Sequence, residues 1–196
     1  RKIVSFLKKE KVDFLYLREP GGNPNSEKIR KLILSKNTNF QPKTDLLLYI
    51  AARNENISIL KKNYKKKIIL IDRFVDSTVA YQHYGMGLNI NFINNAHKFI
   101  LDRLKVDFTF LNLVSEKNMI KRLKKRKRLN RYDKFNKNFY QKVQKGFIKI
   151  VKKNPKKYFV INSNLEIKFN EKLIINKVKN LIKIWMTPLI RLNFLN

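Results

Sequence analysis

Two opposite charges, Asp72 and Arg73, stand side by side directly after a run of four apolar residues, 68–71. Such a run is typical of a strand that is buried on both faces of a parallel sheet. Ligands of open α/β sheets bind at the carboxyl ends of the strands, where these charges would suit a metal ion and a phosphate. A local ion pair that closes the strand would explain the same two residues, so the charges alone leave both interpretations open.

Three hydroxyl groups and an amide follow these charges within one short segment. They belong to Ser77, Thr78, Tyr81 and Gln82. At helical spacing these side chains lie on the first turns of the helix that follows the strand. This polar neighbourhood favours a ligand site over an isolated ion pair.

A second strand end carries charges next to a loop of unusual composition. Residues 12–17 are apolar enough for a strand, and Arg18 and Glu19 follow it at the same edge of the expected sheet. The sequence Pro-Gly-Gly comes next, at 20–22. Proline fixes its own φ angle, and glycine permits positive φ or a close approach of the backbone. A binding loop is one interpretation, and an ordinary turn is the other.

Helices and strands alternate along the whole chain, which predicts one α/β domain with a parallel sheet and helices on both faces. Asn25 or Ser26 is a suitable N-cap for a helix that ends near Ser35. In a later helix, Phe92 and Phe99 are expected to face the core. The apolar spacing places the further helices at 42–64, 91–103, 135–153 and 169–185, and the further strands at 108–113 and 158–161.

Four segments together resemble the bacterial thymidylate kinases, a family of P-loop nucleoside monophosphate kinases. They are Arg-Glu-Pro-Gly-Gly at 18–22, Leu-Leu-Tyr-Ile-Ala-Ala-Arg at 47–53, Asp-Arg-Phe-Val-Asp-Ser-Thr-Val-Ala-Tyr-Gln at 72–82 and Asn-Arg-Tyr-Asp at 130–133. Each segment is weak alone, but their order and spacing are specific. The resemblance covers residues 1–185, which are expected to form one domain. The tail, 186–196, has no counterpart in the family and is assigned no function.

The resemblance implies an enzyme that transfers the γ-phosphoryl group of ATP to thymidine monophosphate (dTMP) and forms the diphosphate (dTDP). Mg²⁺ bridges the ATP oxygens in such reactions, which depend on positioning and charge neutralisation. By resemblance, Asp72 holds the Mg²⁺ shell through water or orients the acceptor, and Arg73 and Arg30 grip the acceptor phosphate. Without the resemblance, Arg30 would be read as an exposed helical arginine. The family also implies a homodimer.

The resemblance also assigns the contacts to the nucleoside. Tyr49 and Arg53, which share a helix face at i and i+4, would stack on thymine and bind the base or phosphate. Gln82 would pair with thymine, and Thr78 or Tyr81 would exclude a 2′-hydroxyl group. The full set of residues expected to line the substrate is Arg18, Glu19, Arg30, Tyr49, Arg53, Ser77, Thr78, Tyr81 and Gln82.

The chain departs from the family pattern at three positions in or next to these segments. The family commonly has Phe at Tyr49, and the tyrosine keeps the aromatic face but adds a hydroxyl group that needs a partner. A buried core tyrosine is the alternative interpretation of this residue. His83 and Met86 replace residues of the usual Gln-Gly-x-x-Arg-Gly pattern. We interpret His83 as a turn residue rather than as a catalyst.

Most residues of 121–131 are lysine or arginine. A charge run of this kind can be a solvated face or a nucleic-acid-binding segment. By resemblance it belongs to a lid, about 121–134, which closes over ATP and stabilises the transferring phosphoryl group. Arg126 and Arg131 best match the catalytic lid arginines of the family, and Arg122 matches less well.

Residues 1–11 form an amphipathic helix, because Ile3, Val4 and Leu7 share one helical face. In the resembled family this helix follows a strand and a Gly-rich loop that ends Gly-Lys-Ser/Thr and cradles the ATP phosphates. Neither is found in the sequence. We therefore expect an N-terminally truncated chain that lacks the P-loop, binds ATP poorly and turns over negligibly.

The composition limits the remaining possibilities. The formal net charge is +31, and the 45 basic residues are spread along the chain rather than gathered in one patch. This favours a field that attracts anionic substrates over a dedicated nucleic-acid surface. Cysteine is absent, and no secretion signal or membrane-spanning run is visible, so a cytoplasmic protein without membrane or specific nucleic-acid partners is expected. A kinase for another nucleotide or deoxynucleoside and a non-catalytic basic nucleic-acid-binding protein are the alternatives.

Overall fold

Strands and helices alternate along the chain, as the apolar spacing predicts. The structure, a computed structural model, describes residues 2–126 and 129–186. Residues 127 and 128 of the expected lid, and the expected tail from 187 onward, lie outside the described residues. The elements are α1 Lys2–Lys9, β1 Phe14–Arg18, α2 Pro24–Leu34, α3 Pro42–Asn63, β2 Ile68–Asp72, α4 Val75–Thr78, α5 Ile90–Leu101, β3 Thr109–Leu113, α6 Glu116–Lys124, α7 Lys137–Lys153, β4 Tyr158–Asn162 and α8 Ile167–Met186.

Three shorter helical pieces connect these elements. A π-helical segment, Val79–Gly85, continues α4 directly, and 3-10 helices lie at Arg131–Lys134 and Pro155–Lys157. The first of the 3-10 helices belongs to the expected lid. Its N-cap is Asn130, whose side chain accepts from the Tyr132 N–H at 2.8 Å. In return, the Asn130 N–H donates to Asp133 Oδ2 at 2.9 Å. These reciprocal hydrogen bonds form a capping box, which stabilises the start of this short helix.

The strands pair in parallel. β1 pairs with β2 in register from Phe14–Ile68 to Arg18–Asp72, and β3 pairs with β4 from Thr109–Tyr158 to Leu113–Asn162. Parallel neighbours need long crossover connections, which the helices between them supply. The predicted α/β fold class is therefore confirmed, and the register places Arg18 beside Asp72 at one edge of the strand pair.

The loop after β1 is shaped by the start of α2. Asn23 is the N-cap of this helix, since its side chain accepts from the Ser26 N–H at 2.9 Å and Pro24 occupies the first helical position. The prediction of Asn25 or Ser26 as the cap was wrong by two to three residues. Ser26 instead exchanges hydrogen bonds with the backbone of Gly21, at 2.9 and 3.1 Å, and so closes the loop.

Helix α5 buries one of its two apolar faces. Ile93, His97 and Ile100 are buried, whereas Phe92 is 53% exposed and Phe99 is 86% exposed. The expectation that both phenylalanines face the core was wrong. Periodicity shows which residues share a helical face, and α5 carries apolar residues on two faces, of which only one meets the rest of the chain.

Helix α7 packs closely on the π-helical segment. A Cβ atom added to Gly146 would lie 2.5 to 2.7 Å from three atoms of Tyr84, and one added to Gly85 would lie 2.7 Å from the Phe139 ring. Distances this short do not occur between packed atoms. Both glycines are therefore required by the close approach of the two helical segments.

This packing predicts that Gly146→Ala destabilises the protein. At an exposed helical site the same change would stabilise by about 0.5–1 kcal/mol, because alanine is the better helix former. At Gly146 the overlap with Tyr84 reverses the sign and costs about 1–3 kcal/mol. Urea unfolding measures the difference. Lys142→Ala, at an exposed position of the same helix, is the control and should change stability by less than about 0.5 kcal/mol.

Candidate active site

Glu19, the first residue after β1, forms a buried ion pair with Arg53 of α3. Their side chains are 3% and 2% exposed, and Arg53 Nε donates to Glu19 Oε2 at 2.6 Å. Asn56, also on α3, donates to Glu19 Oε1 at 3.4 Å and to the Gly21 carbonyl at 2.8 Å. Removing one partner of such a pair leaves a buried charge without compensation. The pair therefore anchors the loop 18–22 on α3.

The same guanidinium group holds two further helices. Arg53 Nη1 donates to Thr78 Oγ1 at 3.1 Å and lies 2.7 Å from His97 Nε2, and the guanidinium carbon is 4.9 Å from the Phe74 ring centroid. Burial, and then the Arg53 charge, lower the pKa of His97 to about 3. The imidazole is therefore neutral, and Nε2 accepts the hydrogen bond. Arg53 and Thr78, both expected at the substrate, thus take part in an interior network that also contains His97.

Three guanidinium groups, those of Arg18, Arg30 and Arg73, form what we call the arginine cluster, beside the carboxyl ends of β1 and β2. Arg30 Nη1 donates to the Pro20 carbonyl at 2.6 Å, and Arg18 Nη2 pairs with Glu27 Oε1 at 2.9 Å. Burial lowers the pKa of Arg30, and the charges of Arg18 and Arg73 lower it further. The Glu27 charge acts on the pKa of Arg30 in the opposite direction. A bound phosphate would be attracted to all three cations and receive charge-assisted hydrogen bonds from them.

Three tyrosines lie beside the arginine cluster. The Arg73 guanidinium carbon is 5.4 Å from the Tyr81 ring centroid. Burial raises the pKa of Tyr49 to about 12, and the Arg73 charge acts on the same hydroxyl group in the opposite direction. Tyr132 meets both other rings edge-on, with centroid distances of 6.1 Å to Tyr49 and 5.9 Å to Tyr81. We call Tyr49, Tyr81 and Tyr132 the tyrosine cluster.

A buried carboxylate, Asp45 in the first turn of α3, organises the other side of the tyrosine cluster. It is 1% exposed and accepts hydrogen bonds from Gln82 Nε2 at 3.1 Å, from the Tyr132 hydroxyl group and from Arg131 Nη2. No sequence pattern indicates Asp45, and Tyr132 enters only as part of the segment 130–133, without a role. Gln82 is also 1% exposed, and its amide donates to a protein carboxylate. A contact between Gln82 and thymine stays a prediction.

Asp72 and Ser77 lie closer to solvent than the network around Arg53. Asp72 is exposed at the end of β2, and its carbonyl accepts from the Glu19 N–H at 2.9 Å. Ser77 is half-buried in α4. Within residues 2–126 and 129–186, no group of three His, Cys, Asp or Glu side chains could hold a metal ion. Asp72 presents an exposed carboxylate, which is the kind of group that could supply one oxygen ligand to Mg²⁺.

The two lid arginines of the sequence analysis differ in their surroundings. Arg126 Nη1 donates to Asp133 Oδ1 at 2.6 Å, and the Asn130 N–H donates to Asp133 Oδ2 at 2.9 Å. Arg131 instead reaches Asp45 on α3. The Arg126 side chain is 53% exposed and the Arg131 side chain is 11% exposed. Arg126 is thus the more accessible of the two residues to a phosphate from solution.

Arg122 and His83 make structural contacts. Arg122 Nη2 donates to the Ser163 carbonyl at 2.6 Å, which joins α6 to the loop after β4. His83 Nδ1 lies 2.7 Å from the Leu88 carbonyl, and its ring centroid is 4.5 Å from that of Tyr84. These contacts agree with the interpretation of His83 as a residue that shapes the turn.

Comparison with known proteins identifies the family. A sequence model of the family described as thymidylate kinase matches residues 1–174. The chain belongs to the thymidylate kinase family. It is 30% identical over 172 residues to a thymidylate kinase of Kosmotoga olearia, covering 86% of this chain and 83% of the relative. It is 36% identical over 187 residues to a thymidylate kinase of Mycoplasma capricolum, covering 91% and 88%.

The thymidylate kinase fold is also found among solved structures. A crystal structure of thymidylate kinase from Ehrlichia chaffeensis matches with a TM-score of 0.70 and 29% identity, covering 90% of this chain and 88% of that chain. Membership of the family makes the chain a kinase whose function is the ATP-dependent phosphorylation of dTMP to dTDP. No helix in the described part of the chain is long and apolar enough to cross a membrane.

The buried His97 predicts that acid destabilises this thymidylate kinase. The pKa of His97 is about 3 in the folded protein and about 6.5 in an unfolded chain. Between these values the unfolded state binds a proton that the folded state does not. The contribution of His97 to the free energy of unfolding therefore falls as pH falls, by at most about 1.4 kcal/mol per pH unit.

The variant His97→Gln keeps an acceptor for Arg53 but does not titrate, so its free energy of unfolding should fall less steeply between about pH 6.5 and about pH 5. Urea unfolding at a series of pH values measures both slopes. Asn95→Gln, on the exposed face of α5, is the matched control and should keep the wild-type slope. Equal slopes for the wild type and His97→Gln would show that the buried imidazole is not the source of the acid sensitivity.

Proposed function

We propose that the arginine cluster and the tyrosine cluster together bind dTMP. The observation that carries this proposal is the contact between Arg73 and Tyr81, at 5.4 Å from guanidinium carbon to ring centroid, which joins the cationic and aromatic parts of the site. Guanidinium forks suit the oxygens of a phosphate, and aromatic faces suit a base. Cations next to aromatic rings are what recognition of a nucleoside monophosphate requires.

The phosphate of dTMP is held by the guanidinium groups in this proposal. Arg73 and Arg30 make the direct contacts, and Arg18 adds positive charge from the adjacent strand end. The charges of Arg18 and Arg73, which add to burial in lowering the pKa of Arg30, support this assignment, because an anion near these groups is attracted to all three. Phosphate binding should consequently be sensitive to salt.

The nucleoside of dTMP lies against the tyrosine cluster in this proposal. Tyr49 stacks on thymine, and Tyr81 fills the space that a 2′-hydroxyl group would need. Thr78 and Arg53 lie beneath the nucleoside. They are held there by the buried network, in which Arg53 forms hydrogen bonds with Glu19, Thr78 and His97. Ser77 and Gln82 complete the nucleoside side of the site.

ATP with Mg²⁺ is the proposed phosphoryl donor. Asp72 fits a Mg²⁺ shell through water, because it is an exposed carboxylate at a strand end and Mg²⁺ prefers carboxylate, phosphate and water oxygens. When bound, the ion supplies positive charge to the phosphoryl oxygens. Arg126, the more exposed of the two lid arginines, adds positive charge beside the same phosphoryl oxygens. The position of Arg131 is set by its ion pair with Asp45.

The wider assignments follow from the same site. We propose that residues 1–185 form one catalytic domain, which the family match over residues 1–174 supports. The proposed compartment is the cytoplasm, where both nucleotides are available. A role as a specific nucleic-acid-binding protein is not proposed, since the basic residues are dispersed along the chain.

Thermal unfolding with added nucleotides tests the proposed site. A ligand at about 100 times its Kd stabilises the folded state by about 2.7 kcal/mol, which raises the Tm of a chain of this size by about 5–10 °C. We expect this shift with dTMP and smaller shifts with UMP and CMP. Arg73→Ala should remove most of the dTMP shift, whereas Arg103→Ala, an exposed arginine after α5, should leave it unchanged.

Thymidine separates the two parts of the site in this experiment, because it lacks the phosphate. Its small shift should be the same in the wild type and in Arg73→Ala. The absence of any shift with millimolar dTMP, together with salt-dependent DNA binding at physiological ionic strength, would support the nucleic-acid-binding alternative instead.

We also propose that the chain forms a homodimer through the exposed aromatic face of α5. Phe92 and Phe99 are seven residues apart and lie on one exposed face of this helix, about 100° around the helix axis from the buried Ile93 and Ile100. Exposed apolar patches on folded proteins mark interaction sites. A two-fold contact would pair this face with the same face of a second copy.

Replacing both phenylalanines should shift the equilibrium to the monomer. We expect the wild type to have the mass of a dimer, and Phe92→Ser/Phe99→Ser to have that of a monomer, in sedimentation equilibrium at micromolar concentration. Phe169→Ser, which removes an exposed aromatic side chain from α8, is the control and should remain dimeric. A double variant that stays dimeric would rule out this face as the interface.

A further inference from the structure

Asp45 is a buried carboxylate on which three side chains from two other elements converge. It lies in the first turn of α3 and is 1% exposed. Gln82 of the π-helical segment donates to its Oδ2 at 3.1 Å, and Arg131 and Tyr132 of the lid 3-10 helix donate to Oδ1 and Oδ2. A buried carboxylate is tolerated when a cation and further hydrogen-bond donors compensate it. Asp45 has one cation, Arg131, and two neutral donors, Gln82 and Tyr132.

Tyr132 connects this carboxylate to the proposed nucleoside site. Its side chain is 7% exposed, its hydroxyl group bonds Asp45, and its ring edge meets the rings of Tyr49 and Tyr81. Tyr140 donates to the Tyr132 carbonyl at 2.6 Å. Burial raises the pKa of Tyr132, and the neighbouring Tyr49 hydroxyl group and Asp45 carboxylate raise it further, so the Tyr132 hydroxyl group stays a donor at physiological pH. The position of the Tyr132 ring therefore depends on Asp45.

Arg131 connects the same carboxylate to the lid. Its guanidinium carbon lies 5.4 Å from the Phe40 ring centroid and 5.1 Å from the Tyr132 ring centroid, and its side chain is 11% exposed. The buried Nε has no hydrogen-bond partner. The charge of Arg131 is compensated by the buried Asp45, whereas the more exposed Arg126 pairs with Asp133 of the lid itself.

We propose that Asp45 is a positioning residue for the dTMP site: by holding Arg131 and Tyr132, it fixes the end of the lid against the tyrosine cluster. The inference rests on the proposed function, because it takes the tyrosine cluster as the nucleoside site. Arg131 is then an anchor of the lid rather than a residue that contacts the transferring phosphoryl group. Binding of dTMP and placement of the lid depend on one carboxylate.

Calorimetric titration of the full chain with dTMP tests this role. Asp45→Asn keeps the size of the side chain but leaves Arg131 without its counter-charge, and we expect the Kd for dTMP to rise about tenfold or more. Asp45→Glu restores the charge and should recover most of the affinity. Asp13→Asn, at an exposed carboxylate before β1, is the control and should bind as the wild type does. An Asp45→Asn protein that binds dTMP as tightly as the control would overturn the proposal.

Limited trypsin digestion gives a readout that a loss of global stability would not move. If Asp45 anchors the lid, cleavage after Arg131 should be faster in Asp45→Asn than in the wild type, both without and with dTMP, under conditions in which urea unfolding shows both proteins folded. Asp45→Glu should be cleaved at nearly the wild-type rate. Equal cleavage rates in the wild type and Asp45→Asn would contradict an anchoring role.

Variants of the partners keep the test available if Asp45→Asn does not fold. Tyr132→Phe removes one contact to Asp45 and keeps the ring, and should weaken dTMP binding severalfold. Adding Arg131→Gln to Asp45→Asn removes the uncompensated cation, so the double variant should bind no more weakly than Asp45→Asn alone. Additive losses would show that the two residues act separately and would overturn the proposal. A wild-type chain that does not bind dTMP would overturn both the proposed function and this inference, whereas normal wild-type binding with unaffected variants overturns the inference alone.

Discussion

The buried ion pair between Arg53 and Glu19 is the contact on which the geometry of the site depends. Removing two charges from water costs several kcal/mol for each ion, and the attraction between them compensates only when the remaining hydrogen-bonding groups are also satisfied. Asn56 completes Glu19, and Thr78 and His97 complete Arg53. The neutral state of His97 is part of this balance, since a protonated ring would place a second cation against the guanidinium group. The pair thereby holds the β1 loop, α3, α4 and α5 in one arrangement.

The buried network around Arg53 also positions two residues of the arginine cluster. Arg18 directly precedes Glu19, and Arg73 directly precedes Phe74, whose ring lies under the Arg53 guanidinium group. Arg18 and Arg73 are therefore the chain neighbours of two residues that the buried network holds in place. Phosphoryl transfer depends on charges that are in place before the substrate arrives, because the enzyme then pays no reorganisation energy during the reaction. Arg18 and Arg73 meet that requirement, because they are exposed while the buried Arg53–Glu19 pair beneath them fixes the neighbouring backbone.

The positions of the charges at the strand ends could be predicted from the sequence, whereas contacts between residues far apart in the chain could not. The alternation of apolar runs and charges was sufficient to place Arg18 beside Asp72, since parallel strands end at the same edge. It could not choose between the two apolar faces of α5, and it gave no indication of Asp45. Asp45 and its partner Arg131 are 86 residues apart in the chain, and no local pattern encodes such a pairing. His97 could have been noticed, because it is the one titratable residue at an inward position of α5, between Ile93 and Ile100.

Helix α3 carries an ion pair on either side of the residue that is proposed to meet the base. Asp45, Tyr49 and Arg53 are spaced four residues apart and share one face. Asp45 is bound to the lid, Arg53 is bound to the β1 loop, and Tyr49 lies between these two attachments. Two attachments about two turns apart oppose both sliding and rotation of the helix, whereas apolar packing, which has no directional preference, would oppose them less. The chain has only 14 acidic residues against 45 basic ones, and it places two of them, Asp45 and Glu19, in buried pairs at this helix. The position of the Tyr49 ring is therefore determined by directional, charge-assisted contacts more than by the fit of its apolar neighbours.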